Sequence, residues 1–335
     1  MKNKNNNLPA FGVGIFTPHV IGFINYKRSC GLRYEDSAEY VLRAICGRLN
    51  LYQLEQPELT KDMVDDLAKK RPNEKHATQS KRITLLRQLA IYLNRQGIAA
   101  YFYPVQSTYK SEENTFIPYL FNDDEIKKIF EAADMLPPIK RYPKYQTVYP
   151  VLLRLLYSSG LRVSEALNLK LLHFDNTQGT LLIENSKKGK SRRVPLSVSM
   201  QCVMNNYLDE RFGLKPDYGR YIFEAPDGGR YNRHSVRSTI INIFKTAGIP
   251  TDPSGHHARL HDVRHLFAVK SMEKMKFEGM DLYCAMPLLS AYLGHEGLRE
   301  TEKYLWLPEF RMEELSVPAS HLPPGMIPEV SWDED

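Results

Sequence analysis

Through the first hundred residues, apolar side chains recur at helical spacing and predict four amphipathic helices. Pro18 to Cys30 carries Val20, Ile21, Phe23 and Ile24 before a basic end, and Asp36 to Leu51 carries Val41, Leu42, Ile45 and Leu49. A shorter segment, Thr60 to Lys70, opens on a threonine suited to capping and turns Met63, Val64 and Leu67 inward. The longest runs from Thr78 to Gln96, with Ile83, Leu85, Leu86, Leu89, Ile91 and Leu93 on its apolar side. Its other side shows Lys81, Arg82, Arg87 and Arg95. Helical periodicity then stops over residues 101–117, YFYPVQSTYKSEENTFI, where polar and turn-forming residues collect as in a domain linker.

Periodicity resumes in FNDDEIKKIFEAAD, a helix capped by Asn122 or Asp123 whose acidic first turn suits the helix dipole. Val148 to Lys170 reads as two helices: Val151, Leu152, Leu155 and Leu156 define the first, and Ser158 to Gly160 break it. Val163, Ala166, Leu167 and Leu169 then resume the period, with Arg162 just past the break. Thr180 to Glu184 and Arg192 to Leu196 are β-rich runs flanking NSKKGKS, a hairpin whose turn holds Lys187, Lys188 and Lys190. Further helices are predicted over Ser197 to Arg211, Arg233 to Ala247 and Leu260 to Lys276. The pattern is mainly α with a small antiparallel β-sheet.

A chain of 335 residues exceeds one ordinary core, so two domains are expected. The expected boundaries are a helical domain over 1–107 with its linker to about 117, a second domain over 118–310, and a tail over 311–335. The tail, EFRMEELSVPASHLPPGMIPEVSWDED from Glu309 onward, starts helical and ends proline-rich and acidic. With 42% hydrophobic and 25% charged residues the composition is that of a soluble globular protein. No apolar run reaches about 18 residues and MKNKNNNLPAFGVGIF lacks a signal-peptide core, so a cytoplasmic location without membrane contact is expected. Cys30, Cys46, Cys202 and Cys284 are dispersed with no CxxC pair, which argues against a zinc site or a disulfide framework.

The net charge is +6, and its distribution is uneven: residues 1–117 carry +6, residues 118–310 +5 and residues 311–335 −5. A basic body suits a polyanionic partner such as nucleic acid, or simply a solvated surface. Lys81, Arg82 and Arg87 form the helix face best suited to following a phosphate backbone.

The candidate chemistry centres on LGHEGLRETEKYL, where His295 and Tyr304 stand nine residues apart. A continuous helix would separate them by about 13 Å, so one reacting atom can use both only if the chain bends. Gly297 permits that bend, and Tyr304 is the candidate nucleophile. Arg162, near a helix start, requires anionic company from Glu165 or a ligand phosphate. His261 and Arg264, three apart in LHDVRH, share a helix side.

These pieces together resemble the tyrosine recombinase family, which includes phage integrases, chromosome-dimer resolving recombinases and transposon integrases. The resemblance rests on Arg162 in SGLRVSEALNL, Lys187 in SKKGKSRRVPL, His261 and Arg264 in HDVRH, His295 in LGH, and Tyr304. It covers roughly residues 118–310; the preceding helices resemble the family's core-binding domain in position and layout. Two guanidiniums, Arg162 and Arg264, suit the nonbridging oxygens of a phosphodiester under attack by a phenol. The resemblance implies that Tyr304 forms a 3′-phosphotyrosine, Lys187 is the acid toward the leaving 5′ oxygen, His261 assists proton transfer and phosphate binding, and His295 positions the scissile phosphate. Lys187 lies eight residues before Pro195, and Lys188 is the alternative.

The resemblance further implies double-stranded DNA with paired recombination sites as substrate, a homotetramer on DNA, a Holliday junction, and no metal, ATP or other cofactor. A mobile-element integrase, with accessory directionality or partner recombinase proteins, is the expected setting. Leu266 stands where the family often has threonine, a departure that touches helix packing. In this family the segment after the nucleophile commonly docks on a neighbouring protomer, a role for Met312, Leu315, Val317 and Trp332 here. Three rivals remain: a metallohydrolase using His257, His261 and His265, a noncatalytic DNA-binding protein, and a relaxing topoisomerase.

Overall fold

A computed structural model describes residues 11–31, 36–104, 118–139, 144–184, 191–213, 217–251, 255 and 257–304. The chain divides into two compact units, Met1–Thr115 and Phe116–Asp335.

Among the described residues of the first unit, four helices enclose one core: α1 (Thr17–Ser29), α2 (Asp36–Leu49), α3 (Lys61–Ala68) and α4 (His76–Arg95). Phe16, Phe23, Leu42, Ile45, Leu86 and Leu89 are among its fully buried residues. The Thr60 side chain accepts from Met63 N, capping α3 as its sequence predicts. On α4 the inward stripe runs Ile83, Leu86, Leu89, Ala90 and Leu93, whereas Ile91, expected inside, is 40% exposed. Positions 86, 89, 90 and 93 share one helix face and 91 lies off it, so its apolar character does not bury it.

The second unit begins with α5 (Asp123–Asp134), and Asn122 rather than Asp123 makes its cap. The Asn122 side chain accepts from Glu125 N at 2.8 Å while Glu125 accepts from Asn122 N at 2.9 Å. Helix α6 (Tyr145–Ser159) stops at Gly160, whose φ of +58° is the left-handed cap glycine tolerates, and one turn of helix, α7 (Val163–Ala166), follows. Among the described residues the sheet has three antiparallel strands in the order β1 (Phe174–Asp175), β2 (Thr180–Ile183), β3 (Arg192–Pro195), with Leu181 opposite Val194. The expected hairpin is thus β2–β3, joined by a short β1 that two residues of sequence did not announce. Its turn, with Lys187, Lys188 and Lys190, lies outside the described residues.

Helices α8 (Val198–Phe212), α9 (Arg233–Thr246) and α10 (Leu260–Phe277) occupy the predicted stretches. An unanticipated helix, α11 (Leu282–Leu293), packs on α10 through Ala285, Met286, Leu289 and Leu293 against Met272 and Met275. The short α12 (Arg299–Glu302) leads to Tyr304. Leu266 is buried in the main core of this unit, so the departure noted there is filled by ordinary apolar packing. The fold is therefore mainly helical with a small antiparallel sheet. Among the described residues no helix is long and apolar enough to cross a membrane, and the tail positions Met312, Leu315, Val317 and Trp332 lie outside them.

Candidate active site

The site is assembled on the C-terminal end of α11. Its last carbonyls have no partner within the helix, and three arginines from three different elements supply them. Arg192 of β3 donates from Nε to Tyr292 O at 2.7 Å, and Arg264 of α10 donates to Leu293 O at 2.7 Å. Arg162, the residue before α7, reaches Gly294 O at 3.3 Å. Arg264 also donates to Gly160 O at 2.7 Å, so one buried guanidinium joins the ends of α6 and α11. Cations at a helix C-terminus are favoured by its dipole.

Glu165 offsets this cluster. Its carboxylate takes two 3.0 Å hydrogen bonds from Arg192 and one of 3.1 Å from Arg162, and Arg264 lies 3.9 Å away. Arg162 N also donates to it at 2.9 Å. Burial opposes its charge, but the bonds and charge of Arg192, then the Arg162 amide and the charge of Arg264, hold its carboxyl below the usual range. The company Arg162 requires is thus Glu165, shared with Arg192. Burial and the neighbouring Arg162 push Arg264 down to about 10, still a cation at neutral pH.

The chain leaves α11 at Gly294, with φ of +65°, and bends again over Glu296 and Gly297, between His295 and Tyr304 as expected. The His295 ring lies over that of Tyr304, centroids 6.2 Å apart and nearly parallel. His295 Nδ1 bonds Thr301 Oγ1 at 2.8 Å, which orients the ring. Burial, then the charges of Arg264, Arg162 and Arg192, push His295 down to about 3, so it is neutral at physiological pH. Tyr304 is 3% exposed. Burial raises its phenol, opposed by the charges of Arg264 and Arg162 and by a hydrogen bond from Arg264.

Of the residues singled out from sequence, Arg162, Arg264, His295 and Tyr304 converge here, and His261 joins them through His265. The His261 and His265 rings meet edge to face at 4.8 Å, and His265 Nδ1 lies 3.1 Å from the Tyr304 oxygen. Lys187 lies outside the described residues. His257 precedes α10 and pairs with Thr251 in an isolated bridge, so the three histidines do not line one helix face. Among the described residues no group of His, Cys, Asp or Glu has the arrangement to hold a metal ion.

In the first unit Lys81 is exposed and bonds Ser37 Oγ at 2.9 Å, while Arg87 is partly buried and donates to Tyr103 O. Arg82 departs from expectation: it is 3% exposed, bonded to Glu74 at 2.6 Å and to Lys69 O at 2.9 Å. It shares the inward side with Ile83 and Leu86, and a guanidinium there is held by a buried carboxylate instead of facing solvent.

Two residues of the site escaped the sequence reading. His265 entered that reading only as one of three histidines considered for a metal. Arg192 carried a readable signal: strand alternation puts it on the face of buried Val194, with exposed Arg193 on the other.

Residues 120–308 match the family model described as the phage integrase family. A Sinorhizobium fredii protein provisionally named integrase/recombinase y4rB is 33% identical over 193 residues, 56% of this chain and 61% of that protein. Tyrosine recombinase XerC of Oceanobacillus iheyensis is 28% identical over 239 residues, 70% of this chain and 72% of its own. The chain thus spans about three fifths of the first of these relatives. XerH site-specific recombinase bound to a palindromic difH substrate, in a post-cleavage complex, superposes with a TM-score of 0.62 at 21% identity, covering 83% of this chain and 78% of that one. A lambda integrase dimer on a COC′ core site gives 0.60 at 16% identity, covering 84% and 75%. At such identities the likeness is one of fold.

Proposed function

Because the chain belongs to the phage integrase family of tyrosine recombinases, we propose that it is a site-specific recombinase that cleaves and rejoins double-stranded DNA through Tyr304. The observation that carries this reading is a buried phenol held between Arg264, His265 and the ring of His295, with Arg162 on the same helix end. A phosphodiester seated there receives charge-assisted hydrogen bonds from two guanidiniums as its oxygens become more negative. Attack by the Tyr304 oxygen forms a 3′-phosphotyrosine, and Lys187 protonates the departing 5′ oxygen. His261 assists phosphate binding and His295 positions the phosphate. The ester preserves the energy of the broken bond, so religation requires neither ATP nor a divalent metal.

The second unit is the catalytic domain and the first a core-binding domain, with Lys81 and Arg87 among its phosphate contacts. Exchange proceeds through a Holliday junction in a homotetramer on paired sites, in the cytoplasm and in the service of a mobile element. Accessory directionality or partner proteins belong to the same reading, as does docking of the tail on a neighbouring protomer.

The test is covalent capture on a nicked duplex recovered by selecting randomised DNA for binding, with chelator present. The expected result is a protein–DNA adduct that is lost in Tyr304→Phe. An adduct persisting in that variant would move the nucleophile elsewhere. Binding without any adduct would favour a noncatalytic protein, and relaxation of one supercoiled circle without exchange between two sites would favour a topoisomerase.

A further inference from the structure

An attacking phenol must lose its proton as its oxygen bonds to phosphorus. In Tyr304 that oxygen is buried, and its own acidity is lowered by burial, so it starts protonated. His295 Nδ1 is occupied by Thr301 at 2.8 Å. His265, one residue beyond Arg264, presents Nδ1 at 3.1 Å from the Tyr304 oxygen. Arg264 acts on the same oxygen as a cation and, being an arginine, can only donate to it. The phenol hydrogen is therefore free to point at His265, whose Nδ1 accepts when its own proton is on Nε2.

We propose that His265 is the proton acceptor for Tyr304. As the phenol oxygen bonds to phosphorus, its O–H bond breaks and the proton passes to His265 Nδ1; the bond from phosphorus to the 5′ oxygen breaks and that oxygen takes a proton from a separate acid. In religation the 5′ hydroxyl attacks and the imidazolium returns the proton to the departing phenol. This rests on the phosphotyrosine chemistry above.

The groups facing His265 are His261, Arg259 and Arg264 from α10 and its cap, Lys303 and Tyr304 beyond α12, and His295 across the phenol ring. Burial, then the charges of Arg259, Arg264 and Lys303, push His265 down to about 4. A phosphodiester seated on Arg264 neutralises part of that charge, which raises the basicity of His265 when substrate arrives.

Single-turnover adduct formation on the selected nicked duplex tests the proposal with His265→Asn, which keeps an accepting oxygen near Nδ1 but cannot take a proton. The expected result is slowing by about a hundredfold at unchanged DNA binding. The rate of this variant should rise with pH and recover in part when a fluorinated, more acidic tyrosine is incorporated at position 304. A rate within about threefold of the parent, or slowing that neither pH nor the fluorinated tyrosine relieves, overturns the proposal. Absence of an adduct from the parent chain, or its persistence in Tyr304→Phe, overturns the phosphotyrosine reading and this proposal with it. A normal rate in His265→Asn overturns this proposal alone. Should that variant fail to fold, the parent chain answers on a duplex with sulfur at the 5′ bridging position, where the leaving group needs no acid. Slowing in heavy water there supports transfer from the phenol, and its absence overturns it.

Discussion

The Glu165 carboxylate receives two parallel 3.0 Å hydrogen bonds from the Arg192 guanidinium, joining the turn of α7 to strand β3. Arg192 also holds Tyr292 O at 2.7 Å, so the same side chain fixes the end of α11. The two arginines proposed to hold phosphate are thereby tied to a third through the carboxylate they share.

Glu165→Gln is expected to destabilise the protein by about 3–5 kcal/mol, because it leaves Arg192, Arg162 and Arg264 facing one another without their shared anion. Arg192→Met should cost a similar amount by leaving the 6% exposed Glu165 side chain short of its main partner. Urea unfolding of both variants checks this; losses under about 1 kcal/mol would place the stabilisation elsewhere.

Two glycines test the bends. A Cβ at Gly160 would lie 2.3 Å from Phe267 Cδ1, and at Gly294 2.9 Å from Arg192 Nη1, both at positive φ. Each alanine carries a backbone cost of about 1–2 kcal/mol. Gly160→Ala should be the worse, since Phe267 is a core ring stacked on Tyr292 whereas Arg192 presents the end of a long side chain. Melting temperatures of the two variants rank them.

Stability should fall on acidification through the histidine range. His265 and His295 are pushed from 6.5 down to about 4 and about 3, so below 6.5 the unfolded chain binds protons that the folded chain does not. Stability is therefore full above that value and declines as pH falls toward 4 and then 3. Glu165, whose carboxyl lies below its ordinary 4.5, adds loss only at the acid end. Denaturant midpoints measured from neutral pH to pH 5 should decrease, and less steeply in His265→Asn; a flat series would contradict the assignment.

In the first unit Arg82→Ala should cost about 3–5 kcal/mol by stranding buried Glu74. Exposed Lys81→Ala should leave stability unchanged and reduce the salt slope of DNA binding by about 1. Thermal melts and binding titrations across salt concentrations separate the two neighbours.

Local pattern was enough to read the helices of the first unit, the Thr60 cap, a cap at Asn122 or Asp123 and the β2–β3 hairpin, since each depends on side chains within a few residues of one another. Family resemblance pointed to Arg162, His261, Arg264, His295 and Tyr304. Helix α11 was missed because LYCAMPLLSAYL is apolar nearly throughout and includes Pro287, so its period is faint.

The sequence by itself determined which side chains can carry phosphate chemistry, because residue type and order along the chain are local facts. Only the tertiary structure decided that Arg82 is buried and that Arg192 and His265 join the site. Those outcomes depend on contacts such as that of Arg192 with Tyr292, a hundred residues apart in sequence. Unpaired helix carbonyls and buried charges there find partners that no short stretch of sequence contains.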